Sequence, residues 1–252
     1  MIIDINKSSI KKYHTVNSTN NVAFDQIKST NLTLDWIIAE VQTEGKGRHG
    51  RSWDSPSGGL YMTKILYEDI NYELMSNLGF VASLALYSTV DAFVLNSFSR
   101  NSIKLKWPND VIINQLKLAG ILIESQIINS KKIIVIGFGL NVFNEDIFRL
   151  GIKKAYLSDY AKTLKLDDLY IYLINSFNNW FCKWDYGNNF NYILESWLSK
   201  TYSIGENIQV KTSDEIICGN FIGLNNDGSL VVEQNNIKRI VNSGEIILKN
   251  EK

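Results

Sequence analysis

Residues 103–141 read IKLKWPNDVIINQLKLAGILIESQIINSKKIIVIGFGLN. Ile103, Leu105 and Trp107 alternate with Lys104 and Lys106, the period-two pattern of a strand with one wet face. Val111–Ile113, Leu118–Ile128 and Ile133–Gly137 continue as apolar runs with short polar links. A parallel pair needs a crossover of about a dozen residues or more, so links this short predict a mainly antiparallel sheet. Upstream, Leu34–Gln42 and Leu60–Tyr67 read as further strands. A helix is predicted from near Asn20 to Lys28, with Val22, Ala23 and Ile27 on one face, and a longer one from Tyr72 to Leu95. Two more follow at about Asp167–Trp184, with Asp167 as N-cap, and Phe190–Lys200. The class is α+β, with a mixed, mainly antiparallel sheet.

The texture changes after Tyr202. Ile208–Val210, Ile216–Ile222, Leu230–Glu233, Ile237–Val241 and Ile246–Leu248 are short β-rich runs separated by turns. Asp227-Gly228 between apolar runs is a hairpin signal. Five short strands in so few residues suggest a small barrel. A boundary near Ser199–Ser203 divides the chain into domains 1–200 and 201–252.

The totals exclude several classes. Lys plus Arg and Asp plus Glu each number 26, so the chain has no bulk attraction for nucleic acid or membrane. Any phosphate site must be a local cluster. Cys182 and Cys218 form no CxxC pair, which argues against a disulfide framework and a cysteine zinc site. No apolar run reaches the roughly 18 residues of a membrane span, and the first residues do not read as a signal peptide. A cytoplasmic protein is expected. The only histidines are His14 and His49, and no serine has a nucleophile-elbow spacing, which argues against a Ser–His–Asp hydrolase.

Five segments carry chemistry. Gln42–Trp53 reads QTEGKGRHGRSW, with Gly45, Gly47 and Gly50 between Lys46, Arg48 and Arg51. Glycines let backbone N–H groups approach an anion, and the cations answer phosphate charge. The Walker A spacing is absent, and the plainer reading is a solvated basic turn. In Lys106-Trp107-Pro108-Asn109-Asp110, the proline restricts Trp107 and presents Asn109 and Asp110 at a strand end. Asp110 suits a magnesium ion or a ribose hydroxyl, and a tight Asx turn is the alternative. Lys117 opens the apolar run LAGILIE, where Gly120 suggests close approach by a ligand or another backbone. Gly137-Phe138-Gly139-Leu140-Asn141 lacks the third glycine of a dinucleotide fingerprint, which leaves Asn141 as a polar contact beside a flat surface. Ser18-Thr19-Asn20 starts the first helix, either as caps or with hydroxyls and helix N–H groups facing a small polar ligand.

In this order, the five segments resemble the biotin–protein ligases, which carry S-T-N, G-R-G-R-x-G-R-x-W, K-W-P-N-D, K-x-x-G-I-L-x-E and G-x-G-x-N. The resemblance covers nearly the whole chain. It implies a catalytic core like that of class II aminoacyl-tRNA synthetases, followed by an SH3-like barrel. It further implies that biotin and MgATP form biotinyl-5′-AMP, and that a lysine of a biotin carboxyl carrier protein, such as that of acetyl-CoA carboxylase, then takes the acyl group. By the same resemblance, Ser18, Thr19 and Gln42 hydrogen-bond the biotin ring system, with Asn20, Gly45, Lys46, Gly120 and Gly137 also at the biotin site. Lys117 touches both biotin and phosphate, and with Arg48 forms the catalytic pair. Arg48, Arg51, Trp53, Asn109, Asp110 and Asn141 line the ATP site, with Asp110 as the candidate magnesium ligand.

The sequence departs from this pattern in the loop. Lys46 stands where the family usually has arginine, His49 replaces a frequent arginine, and Glu44 lowers the formal loop charge to +2. Charge is kept at Lys46 but fork geometry is lost. Some relatives carry an N-terminal winged helix. Ser18 lies close to Met1, so no specific DNA binding is expected. Relatives also homodimerise through the main sheet, which leaves a homodimer open here. The alternatives are a lipoate–protein ligase or octanoyltransferase of the same fold, and a non-catalytic biotin-binding module.

Overall fold

The computed structural model describes residues 8–29, 33–68, 70–95, 102–144, 154–161 and 163–248. The apolar alternation read from the sequence forms two sheets among them. The larger contains β1 (Ile10–Val16), β2 (Trp36–Gln42), β3 (Leu60–Leu66), β4 (Ile103–Lys106), β5 (Asp110–Ile113), β6 (Leu116–Ile128) and β7 (Lys131–Leu140). Their spatial order is β1-β2-β3-β7-β6-β5-β4. Every neighbouring pair is antiparallel except β1–β2, which run parallel. The helix α1 (Thr19–Ser29) supplies the crossover that a parallel pair requires.

Period-two alternation gives this sheet two different faces. Ile134, Ile136, Phe138 and Leu140 of β7 join Leu60 and Met62 of β3 in the main core. That core is covered by α2 (Tyr72–Phe93), α3 (Leu166–Trp184) and α4 (Phe190–Leu198). Asn71 caps α2 by accepting the Leu74 N–H at 2.9 Å. Trp36, Phe138 and Phe177 meet at the centre, with ring centroids 5.7–6.0 Å apart. The intervening residues of the same strands point the other way. There Ile37, Ile65, Ile133 and Val135 pack under Ala23 and Phe24 of α1 as a smaller core. Beyond the start of α1 that second face is uncovered by helix, and this is where the pocket forms.

The second sheet contains β8 (Asn207–Lys211), β9 (Ile216–Leu224), β10 (Leu230–Gln234), β11 (Ile237–Val241) and β12 (Glu245–Ile246), in the order β11-β10-β9-β8-β12. Asp227-Gly228 lies in the β9–β10 turn, with Gly228 at φ 86°. The turn serves more than its hairpin, because the Trp107 indole donates to the Gly228 carbonyl at 3.1 Å.

Two sequence expectations are corrected, and one strand had not been anticipated. Lys106 does not lie on a wet face. It is 3% exposed, donates to the Ile246 carbonyl at 2.9 Å and lies 3.3 Å from Asp110. The second sheet covers it, which local alternation cannot anticipate. Asp167 is not the N-cap of α3. Lys165 occupies that position, and Asp167 sits in the first turn, 2.5 Å from Lys12. An acid there still favours the helix dipole. The strand β1 escaped the sequence reading altogether. It is an edge strand bearing Lys11, Lys12 and His14, and charge on an edge is a common guard against unwanted pairing.

Phe177 is 1% exposed at the junction of α3 and the sheet. Phe177→Ala is expected to lower stability by about 3–5 kcal/mol. Urea unfolding followed by far-UV circular dichroism should show the midpoint fall with an unchanged slope.

Candidate active site

The floor of the pocket is glycine. Gly120 of β6 and Gly139 of β7 are register partners, as are Leu122 and Gly137. Alternation places all four on the face opposite the helices. A Cβ at Gly139 would lie 2.7 Å from the Trp53 indole, and one at Gly120 would lie 3.2 Å from it. The indole therefore lies on bare backbone. Its N–H is buried without an acceptor, although a buried indole N–H normally finds one.

One wall is the start of α1. Gln42, at the end of β2, accepts from the Thr19 N–H at 2.9 Å and from its hydroxyl at 3.1 Å, and donates to Ser55 at 2.9 Å. Asn20 crosses the floor. Its Oδ1 accepts from Thr63 at 2.7 Å, and its Nδ2 donates to Glu124 at 2.8 Å. A Cβ at Gly137 would meet Asn20 Oδ1 at 2.7 Å. The bare backbone at Gly137 seats Asn20.

The roof is the loop 43–55. It folds back on itself through the Trp53 N–H to the Gly45 carbonyl at 2.8 Å and the Gly47 N–H to the Arg51 carbonyl at 2.6 Å. His49 at φ 55° and Gly50 at φ 72° make the reversal between them. Gly45 is buried with no room for a side chain, since a Cβ would lie 2.2 Å from the Trp53 carbonyl. Lys46 reaches Asn21 at 2.6 Å.

Positive charge enters from three directions. Arg48 donates to Asn109 Oδ1 at 3.4 Å and to the Gly244 carbonyl at 3.3 Å, both neutral acceptors. Burial pushes its guanidinium below the ordinary value. Asp110 and Glu245 oppose that shift and Arg51 adds to it. An arginine starts so far above neutrality that Arg48 stays charged, which makes it a desolvated cation suited to an anion. Lys117 stands 2.9 Å from Asp110 Oδ1 as an ion pair and 5.1 Å from the centre of the Trp53 ring. Arg51 makes two hydrogen bonds to Glu245 of β12, at 3.2 and 2.7 Å. Burial raises the Glu245 carboxyl, but the hydrogen bond and charge of Arg51, helped by Lys106, hold it below the ordinary carboxylate value.

These groups enclose a cavity of about 380 Å³. The sequence of residues 13–141 matches the biotin/lipoate A/B protein ligase family. Residues 203–249 match the biotin protein ligase C terminal domain. The chain belongs to the biotin/lipoate A/B protein ligase family. Among curated relatives of this family member, the biotin–[acetyl-CoA-carboxylase] ligase of Paracoccus denitrificans is 28% identical over 218 residues, which is 84% of this chain and 89% of that protein. The bifunctional ligase/repressor BirA of Bacillus subtilis is 29% identical over 239 residues, covering 90% of this chain and 71% of its own. The structure of the biotin protein ligase from Aquifex aeolicus in complex with biotin and ATP superposes with a TM-score of 0.77 over 96% of this chain and 98% of that one, at 23% identity. That likeness establishes the fold.

Of the residues singled out from the sequence, Ser18, Thr19, Asn20, Gln42, Lys46, Arg48, Arg51, Trp53, Asn109, Lys117, Gly120, Gly137 and Asn141 line this one cavity of the ligase fold. Gly45 and Asp110 do not line it. Gly45 packs inside the loop, and the Asp110 carboxylate lies between Lys106 and Lys117. Sequence reasoning missed Lys154 and Glu245, which do line it. Lys154 is bridged to Lys117 backbone to backbone and paired with Asp54 at 3.1 Å. Neither falls in a motif. The lysine follows a stretch without periodicity, and the glutamate arrives from the other sheet.

Glu245→Gln removes the charge that holds Arg51. Exposed ion pairs contribute about 0–1 kcal/mol, so amide exchange in residues 45–53 should quicken by no more than about fivefold. The parent should show the same loosening in acid. A carboxyl whose folded pKa is depressed contributes fully above its unfolded value, 4.5, and loses that contribution as pH falls through the folded value. Exchange rates that ignored both changes would remove Glu245 from the control of the loop.

Proposed function

We propose that this chain is an ATP-dependent biotin–protein ligase. A biotin carboxylate oxygen attacks the α-phosphorus of ATP, pyrophosphate leaves, and biotinyl-5′-AMP forms. The amine of one lysine on the biotin carboxyl carrier protein of acetyl-CoA carboxylase then attacks the acyl carbon, and AMP leaves. The observation that carries this reading is the meeting of Arg48, Lys117 and the Thr19–Gln42 pair in one cavity floored by glycine.

The first step brings two anions together. Lys117 and Arg48 offset that repulsion and stabilise the charge that grows on the phosphate oxygens. Asp110, 2.9 Å away, keeps Lys117 aimed. The Ser18 hydroxyl, buried at the start of α1 and facing the cavity, suits a ureido oxygen. The Trp53 indole offers the nucleotide a flat apolar surface, and Asn109 and Asn141 supply polar contacts near it. The folded loop 43–55 excludes water from the mixed anhydride.

Magnesium enters with the nucleotide. Among the described residues no group of three His, Cys, Asp or Glu side chains could hold a metal. A magnesium ion needs only one or two carboxylates besides phosphates and water. The Asp110 carboxylate would have to reach it from between Lys106 and Lys117, outside the cavity lining.

The domain reading assigns this chemistry to residues 1–200 and a supporting role to residues 201–252. The separate second sheet and its own family match support that division. No helix among the described residues is long and apolar enough to cross a membrane.

Incubation of a biotin carboxyl carrier domain with this protein, biotin and MgATP should yield one biotinylated lysine by mass spectrometry, and none without ATP. Lipoylation in place of biotinylation would overturn the reading. Lys117→Ala should slow transfer about 10²–10³-fold, the usual cost of removing a central charge-stabilising donor.

A further inference from the structure

The glycine floor of the pocket depends on an amide whose polarity must be set by something outside the pocket. Asn20 is 3% exposed and Thr63 0% exposed. Thr63, Gly137 and Leu122 are register partners on three adjacent strands, β3, β7 and β6. The Asn20 side chain lies along that row. It accepts from the Thr63 hydroxyl at 2.7 Å and donates to Glu124 Oε2 at 2.8 Å and to the Leu122 carbonyl at 3.4 Å. Both groups on the β6 side are acceptors only. An amide turned by 180° would set its oxygen against them. The Thr63 hydroxyl can donate or accept, so it follows the amide and cannot choose for it. The long contact to Leu122 is a weak constraint, which leaves the charged, shorter contact to Glu124 to decide.

Glu124 does not line the cavity, whereas Asn20 does. Asn20 also follows Thr19, whose N–H and hydroxyl are tied to Gln42. We propose that Glu124 is a positioning residue for the biotin end of the site. By fixing the polarity of Asn20, it seats the first turn of α1 on the glycine row and holds Ser18 and Thr19 in register with Gln42. This rests on the ligase reading above.

The experiment compares Glu124→Gln with Glu124→Asp. Glutamine keeps the shape but can present either a donor or an acceptor, so Asn20 is no longer held one way. Aspartate shortens the side chain but presents acceptors only. For Glu124→Gln we expect the biotin Kd, measured by calorimetry without ATP, and the biotin KM to rise about five- to tenfold, the scale of one buried hydrogen bond. The kcat, the ATP KM and the melting temperature should match the parent within error. Glu124→Asp should fall closer to the parent than Glu124→Gln does. The opposite order, or a loss confined to kcat or to stability, would overturn the positioning role while leaving the ligase reading intact. A parent that binds no biotin would overturn both.

Discussion

Two negative charges must be brought within bonding distance in this pocket, and water screens them too well for fixed cations to help unless the site is dry. The bare strand surface at Gly120, Gly137 and Gly139 resolves that conflict. A ligand or a buried ring can lie directly on backbone, so the cations meet it from above and the side without competing side chains below. Trp53 already uses two of these positions, and Asn20 uses the third. The cations then come from separate elements, with Arg48 and Arg51 on the loop and Lys117 on β6. Like charges spread over different supports repel less than a run on one helix would, and Lys117 and Arg51 each have a carboxylate partner of their own.

The same alternation explains how fold and site share one sheet. Phe138 lies between Gly137 and Gly139 in sequence but faces the opposite way, into the aromatic centre with Trp36 and Phe177. A strand of this kind anchors the core with every second residue and leaves the others small. Loss of packing on one side would therefore disturb the floor on the other, because interiors are close-packed and transmit strain.

Much of this was legible in the sequence. The antiparallel order of β4 to β7 followed from short links, and the second sheet from five brief runs after Tyr202. The ordered motifs pointed to one pocket, and most of their residues meet there. What was not legible depended on contacts far apart in the chain. Lys106 read as solvated because its cover, Ile246, lies 140 residues away. Glu245, just ahead of the Ile246–Leu248 run, drew no reading at all for the same reason. Gly137 read as a ligand contact, and its neighbour turned out to be Asn20, which no local pattern announces. The strand β1 was hidden by its own charges.

The burial of Lys106 ties the fate of the two sheets together. Its ammonium is held by Asp110 on one sheet and by the Ile246 carbonyl on the other. Stripping away the second sheet would take the carbonyl from that ion, and a hydrogen bond to a charged group is worth about 1.5–3 kcal/mol. The smaller sheet thus acts as a keystone rather than an appendage, closing over an ion that the larger sheet buries only in its company.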